Sequence, residues 1–90
     1  MDLSICSYNC CSFNKNIDIL RELTSMNIDI IFLQETFVTS DKLYTLNFVD
    51  ENYNSIGVPA AYSESAFRAL SGRPMGGLAV LWRKNCNFKI

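Results

Sequence analysis

Residues Ile28-Asp29-Ile30-Ile31-Phe32-Leu33 form a run interrupted by a single polar side chain. A short stretch so rich in β-branched and aromatic residues reads as a strand. Its lack of alternation predicts a strand covered on both faces, running over 28–34 into Gln34-Glu35-Thr36. Upstream, Ile17, Leu20 and Leu23 recur every three residues, with Ile19 and Met26 one step around and Asp18, Arg21 and Glu22 opposite. That spacing predicts an amphipathic helix over 15–26. Asn14 or Asn16 suits its start. Asn27 suits its end, because asparagine tolerates the left-handed conformation. Before the helix, Leu3, Ile5, Ser7 and Asn9 alternate with Ser4, Cys6 and Tyr8, which predicts a strand over 3–9. This strand too is short and mostly apolar, as one covered on both faces would be. The connection from Cys10 to Asn27 is long enough for a parallel crossover, which takes a dozen or more residues. Such units are right-handed almost without exception.

The middle of the chain is less regular. Ser40-Asp41 can open a short helix through Leu43, Leu46 and Asn47. A strand is predicted over 53–58, stopped by Pro59, and another over 77–83, entered through Gly76-Gly77. We pair these two strands as a hairpin. The stretch from Ala60 to Pro74 reads as an exposed loop with a helical turn at 65–70, and Cys86 to Ile90 has strand character. The fold class is α/β.

The chain has 90 residues, 49% of them apolar, and a net charge of −1. This describes one folded unit and argues against disorder. No apolar run approaches the ~18 residues of a membrane helix, so no membrane partner is expected. Met1-Asp2-Leu3 does not begin a signal peptide. Cysteines 6, 10, 11 and 86 follow no zinc spacing. Free thiols in a reducing compartment are the expectation, hence an intracellular location, nuclear or cytoplasmic. The near-zero charge gives no general reason to expect nucleic-acid binding. There is no histidine, so no mechanism, zinc site or pH switch can draw an imidazole from this chain.

Chemistry is best placed at Glu35. It ends an apolar strand, and sites gather at the carboxyl ends of parallel strands. If the first two strands are parallel, Asn9 and Glu35 leave the sheet at the same edge. A carboxylate beside an amide suits a hard divalent cation and a phosphate, since magnesium takes one or two carboxylates and keeps its waters. Position alone is equally compatible with a solvated glutamate at a strand end.

Ser7-Tyr8-Asn9 closing a strand, then a helix, then Asp29-Ile30-Ile31-Phe32-Leu33-Gln34-Glu35-Thr36, then Gly76-Gly77-Leu78-Ala79-Val80-Leu81, resembles the start of the endonuclease/exonuclease/phosphatase (DNase-I-like) superfamily. Gly72-Arg73-Pro74-Met75-Gly76-Gly77 is most similar to the endonuclease domain of non-LTR, LINE-type retrotransposons. The resemblance implies the N-terminal part of a two-sheet sandwich with helices outside. It implies Glu35 as a metal-binding residue and Asn9 as its partner in a metal and phosphate site, both catalytic. For the intact domain it further implies Mg²⁺, with Mn²⁺ as a substitute, and DNA as the partner; in these 90 residues alone metal binding is expected to be weak or absent. Gln34 and Thr36 would flank the site or simply pack. Arg73 and Tyr53 are the substrate-binding candidates. Tyr62, and the cations Arg68, Arg83 and Lys84, are weaker ones.

A full domain of this kind spans roughly 200–250 residues. Residues 1–90 would then be a partial domain, truncated before the Asp-x-Asn and Ser-Asp-His motifs that supply its base and electrostatic clamp. Alone, such a chain is expected to be inactive. It would leave strand edges open to self-association. Two alternatives stay open: a phosphatase- or phospholipase-type member of the same superfamily, and a non-catalytic interaction module.

Overall fold

The computed structural model describes residues 3–61 and 76–85. Four strands, β1 (Ile5–Asn9), β2 (Ile30–Gln34), β3 (Tyr53–Val58) and β4 (Leu78–Arg83), form one sheet in the order β1-β2-β4-β3. β1 and β2 are parallel, pairing Ile5 with Ile30 and Asn9 with Gln34. Between them runs α1 (Ile17–Ser25), which completes the expected β-α-β unit. β4 lies antiparallel to β2 and to β3, and the hairpin pairs Tyr53 with Arg83 and Val58 with Leu78. The expected helix near Ser40 is a 3₁₀ helix over Ser40–Phe48. The proposed loop from 60 to 74 and its helical turn lie almost wholly outside the described residues.

Strand periodicity sorts the sheet into two unlike faces. Ile31, Leu33, Ala79, Leu81 and Tyr53 point inward, where Leu20 of α1, Leu46 of the 3₁₀ helix, Phe13 and Cys10 join them in one core. The other face carries Ile5, Phe32, Ile56, Val58 and Leu78, all exposed. The expectation that β1 and β2 are covered on both sides is therefore corrected. Phe32 is 44% and Ile5 60% exposed, because α1 and the 3₁₀ helix both pack on the face of Ile31 and Leu33.

Two local details differ from the sequence pattern. Ile19 and Met26 lie outside the buried stripe of α1. Thr24 is buried with Leu20 instead, and its hydroxyl donates to the Arg21 carbonyl. Asn16 occupies the N-cap position without capping: its amide donates to the carbonyls of Cys10, at 2.6 Å, and Ser12. Asn27 does follow the helix end in the left-handed region, at φ 59°.

The sheet is locked at the end where β1 and β2 begin. Buried Asp29 accepts from the Ser4 backbone N–H at 2.9 Å and from Arg83 Nε at 2.9 Å. A salt bridge with Arg83 Nη2 completes the contact. One carboxylate thus ties the ends of β1, β2 and β4 together.

Candidate functional site

The parallel pairing of β1 and β2 fixes where Asn9 and Glu35 emerge. Asn9 is the last residue of β1, opposite Gln34, and Glu35 follows on the same edge. The two side chains meet: Asn9 Nδ2 donates to Glu35 Oε2 at 2.5 Å, with both residues exposed. The amide oxygen is turned the other way. Asn9 Oδ1 accepts from the Cys11 backbone N–H at 3.1 Å and from the Cys11 thiol at 3.2 Å. The pair therefore offers outward a carboxylate and the N–H₂ end of an amide.

The backbone here is unusual. Of the five described non-glycine residues with positive φ, four, Cys11, Ser12, Glu35 and Phe37, flank this edge. Gly76 and Gly77, at φ 82° and 93°, adjoin it. Left-handed conformations cost a side-chain-bearing residue about 1–2 kcal/mol each. Such residues cluster where surrounding bonds over-determine them. Those bonds are present. Cys10, Ser12 and Phe13 donate to the carbonyls of Gln34, Glu35 and Thr36 at 2.8, 3.0 and 2.8 Å. Thr36 and Phe37 donate in turn to Gly77 and Gly76 at 3.2 and 2.9 Å. Three segments, after β1, after β2 and before β4, are stitched around Glu35.

Gly77 is needed for that stitching. A Cβ built there would lie 2.4 Å from Thr36 Oγ1 and 3.3 Å from the Phe37 nitrogen. Thr36 is buried, and its hydroxyl accepts from the Val38 N–H, so its role is packing. Gln34 stands beside Asn9 on the uncovered face and donates to Ser7 Oγ at 2.9 Å.

The remaining candidates divide. Tyr53 is buried in the core: it is 4% exposed, and its hydroxyl donates to the carbonyls of Ile28 and Thr24. By strand register it sits about 20 Å from Glu35, at the opposite edge, at ~3.3 Å per residue. Arg83 stands at that same far edge, engaged with Asp29, and Lys84 follows it. Arg73, Arg68 and Tyr62 lie outside the described residues. A cavity of about 420 Å³ is also at the far edge, between Thr24 and Asn27 of the α1 end and Asp50, Asn52 and Lys84. It contains neither Asn9 nor Glu35.

Among the described residues there is no cluster of three or more histidine, cysteine, aspartate or glutamate side chains. The cation-ligating set at the edge is one carboxylate, because the Asn9 amide oxygen is engaged by Cys11. That fits a magnesium ion which keeps most of its waters and leans on a substrate phosphate, not a cation caged by protein. The adjacent Cys10 thiol is buried, and burial pushes its pKa up to about 11. It stays protonated at neutral pH.

Cys11 is the site residue that sequence reasoning missed. A signal was available, since an asparagine at a strand end commonly accepts from the backbone two residues on.

Residues 6–85 match the model of the Endonuclease/Exonuclease/phosphatase family. Among solved structures, the chain is similar to that of the 3′ phosphatase NExo from Neisseria bound to a product DNA hairpin. The two are 19% identical with a TM-score of 0.66, and the match covers 99% of this chain and 32% of that one. The chain thus spans about a third of that neighbour's length, and at this identity the likeness establishes the fold alone. No curated protein matches the chain.

Proposed function

We propose that this chain, which belongs to the endonuclease/exonuclease/phosphatase family, supplies the Asn9–Glu35 corner of a DNA phosphoester-hydrolysing site. The observation that carries the reading is the 2.5 Å contact of Asn9 Nδ2 with Glu35 Oε2 at the carboxyl edge of two parallel strands. Glu35 would hold a magnesium ion, with manganese able to replace it. The bound ion would supply charge stabilisation on the phosphate and lower the pKa of an attacking water. Asn9 holds the carboxylate in place and directs its N–H₂ toward a phosphate oxygen.

Phosphodiester hydrolysis also needs a base for the water's proton. In such domains later Asp and His motifs are expected to supply it, and these 90 residues contain no histidine. We therefore read the chain as a contributor of metal and phosphate contacts, inactive alone, whose role is completed by further parts of such a domain.

DNA as substrate is supported by the family and by the DNA hairpin bound to the similar phosphatase. The narrower likeness to LINE-type retrotransposon endonucleases rests on residues 72–77, of which only Gly76 and Gly77 are described. It predicts internal nicking, whereas a phosphatase-type member would remove a terminal phosphate. Two ligands test the reading: a DNA hairpin ending in a 3′ phosphate and an unmodified duplex, each added to the chain with Mg²⁺. Amide shifts at residues 9–12 and 34–36 that need Mg²⁺ and vanish in Glu35→Gln support it. DNA binding indifferent to both would refute it. Preference for the unmodified duplex would favour the nicking form, and preference for the 3′ phosphate the phosphatase form.

One observation favours a second reading, that of an interaction module. The uncovered sheet face carries Ile5, Phe32, Ile56, Val58 and Leu78, a larger apolar surface than scattered exposed residues make. In a two-sheet sandwich a second sheet would cover it. If this face instead mediates self-association, Phe32→Glu should shift the chain to monomer in sedimentation velocity. An already monomeric wild-type chain would remove this reading.

A further inference from the structure

The Asn9–Glu35 contact depends on which way the Asn9 amide faces, and the structure shows what decides it. We propose that Cys11 is a positioning residue, its thiol and backbone N–H together holding Asn9 Oδ1 so that only the N–H₂ end faces Glu35. This deepens the site reading above and rests on it for its relevance to phosphate, although the orientation itself does not.

A carboxylate accepts only, and an amide both donates and accepts. Left to itself, the Asn9 side chain could turn either end outward. Two donors, at 3.1 and 3.2 Å from Oδ1, settle it. They are fixed in turn by the left-handed Cys11, φ 46°, and by Ser12, φ 101°, whose N–H donates to the Glu35 carbonyl. The same turn that aims the Cys11 donors is thus tied to the backbone of the residue that Asn9 serves. Asn9 then addresses an incoming ligand as a hydrogen-bond donor, suited to a phosphate oxygen, and leaves the cation to Glu35.

The thiol contribution can be isolated, because the backbone donor survives substitution by any residue except proline. Isotope-labelled asparagine makes the Asn9 N–H₂ group visible by NMR in the wild-type chain, Cys11→Ala and Cys11→Ser. Cys11→Ala should speed exchange of these protons with water about threefold, the effect expected of losing one exposed hydrogen bond. It should weaken the Mn²⁺ titration midpoint read from Asn9 line broadening by about the same factor. Cys11→Ser should restore both, with backbone spectra elsewhere unchanged. A Cys11→Ala chain identical to wild type in exchange and midpoint would overturn the proposal. So would serine behaving like alanine. If exchange responds as expected while Mn²⁺ broadens nothing at Asn9 in any chain, the positioning role stands and the metal reading fails.

Discussion

The side chains of Asn9, the last residue of β1, and Glu35, the first residue after β2, meet because β1 and β2 run in the same direction. Antiparallel pairing would have put them at opposite ends. The meeting also requires Glu35 to adopt φ 52°, a conformation that costs a non-glycine residue about 1–2 kcal/mol.

That cost predicts the outcome of removing the side chain. Glu35→Gly relieves the strain but gives the unfolded chain more freedom, worth about 0.4–1 kcal/mol against folding. The unfolding free energy should stay level or rise by up to about 1 kcal/mol in urea titration, while any response to Mg²⁺ is lost. A clear loss of stability would show that Glu35 supports the fold and is not a strained functional group.

Gly77→Ala should have the opposite effect. Its Cβ would meet Thr36 Oγ1 at 2.4 Å, on a backbone with φ 93°. Strain and overpacking together should cost about 2–4 kcal/mol. For a domain of this size that is a fall of at least about 8 °C in Tm by thermal scan. A fall of under 2 °C, on the order of the measurement spread, would mean the junction between β4 and Thr36 is looser than described.

Arg83→Met tests the lock at the other edge. It removes a guanidinium from Asp29, which is 7% exposed and bonded to Ser4. Breaking a buried pair costs about 3–5 kcal/mol, and the part exposure of Arg83 lowers the expectation to about 2–3. Replacing both partners, Asp29→Asn with Arg83→Met, should recover part of the loss in chemical denaturation, because no buried charge is then left unmatched. A double variant worse than the sum of the singles would contradict this.

Cys10 makes stability depend on alkaline pH. Its pKa is raised from 9.0 to about 11 by burial first and by neighbouring Cys11 second. The folded state therefore holds the thiol proton more tightly than the unfolded state. The stabilisation is complete below pH 9 and disappears as pH rises through 11, a change on the order of 2–3 kcal/mol. Cys10→Ala should flatten this part of the profile. At pH 8 iodoacetamide should label exposed Cys11 well before Cys10, as read by peptide mass.

Much of the fold was legible from the residues. The stripe of Ile17, Leu20 and Leu23, the stop at Asn27 and the two flanking apolar strands led to the parallel unit, and the hairpin of 53–58 with 77–83 is found as paired. The facing of β3 was not legible. Ile56 and Val58 are its more apolar residues, yet Tyr53, Ser55 and Gly57 point inward. The reason lies in a distant element: Leu43 and Leu46 of the 3₁₀ helix fill the space over Gly57, where a Cβ would come within 2.7 Å of Leu46. The buried place of Tyr53 depends likewise on a distant element, since the carbonyls of Thr24 and Ile28 take its hydroxyl. Glu35 and Asn9 were legible as a pair because both end strands. An Asn9 turn onto the Cys11 backbone could have been expected, but the thiol contact could not, because the turn is shaped by bonds to residues 34–36.

The most direct test of the account is a Mg²⁺ titration of the full chain followed by amide NMR, with Glu35→Gln measured alongside. The account predicts saturable shifts confined to the edge formed by residues 9–12, 34–37 and 76–77, and none in the variant. Shifts that persist in Glu35→Gln, or that gather at the far edge around Asp50, would contradict it.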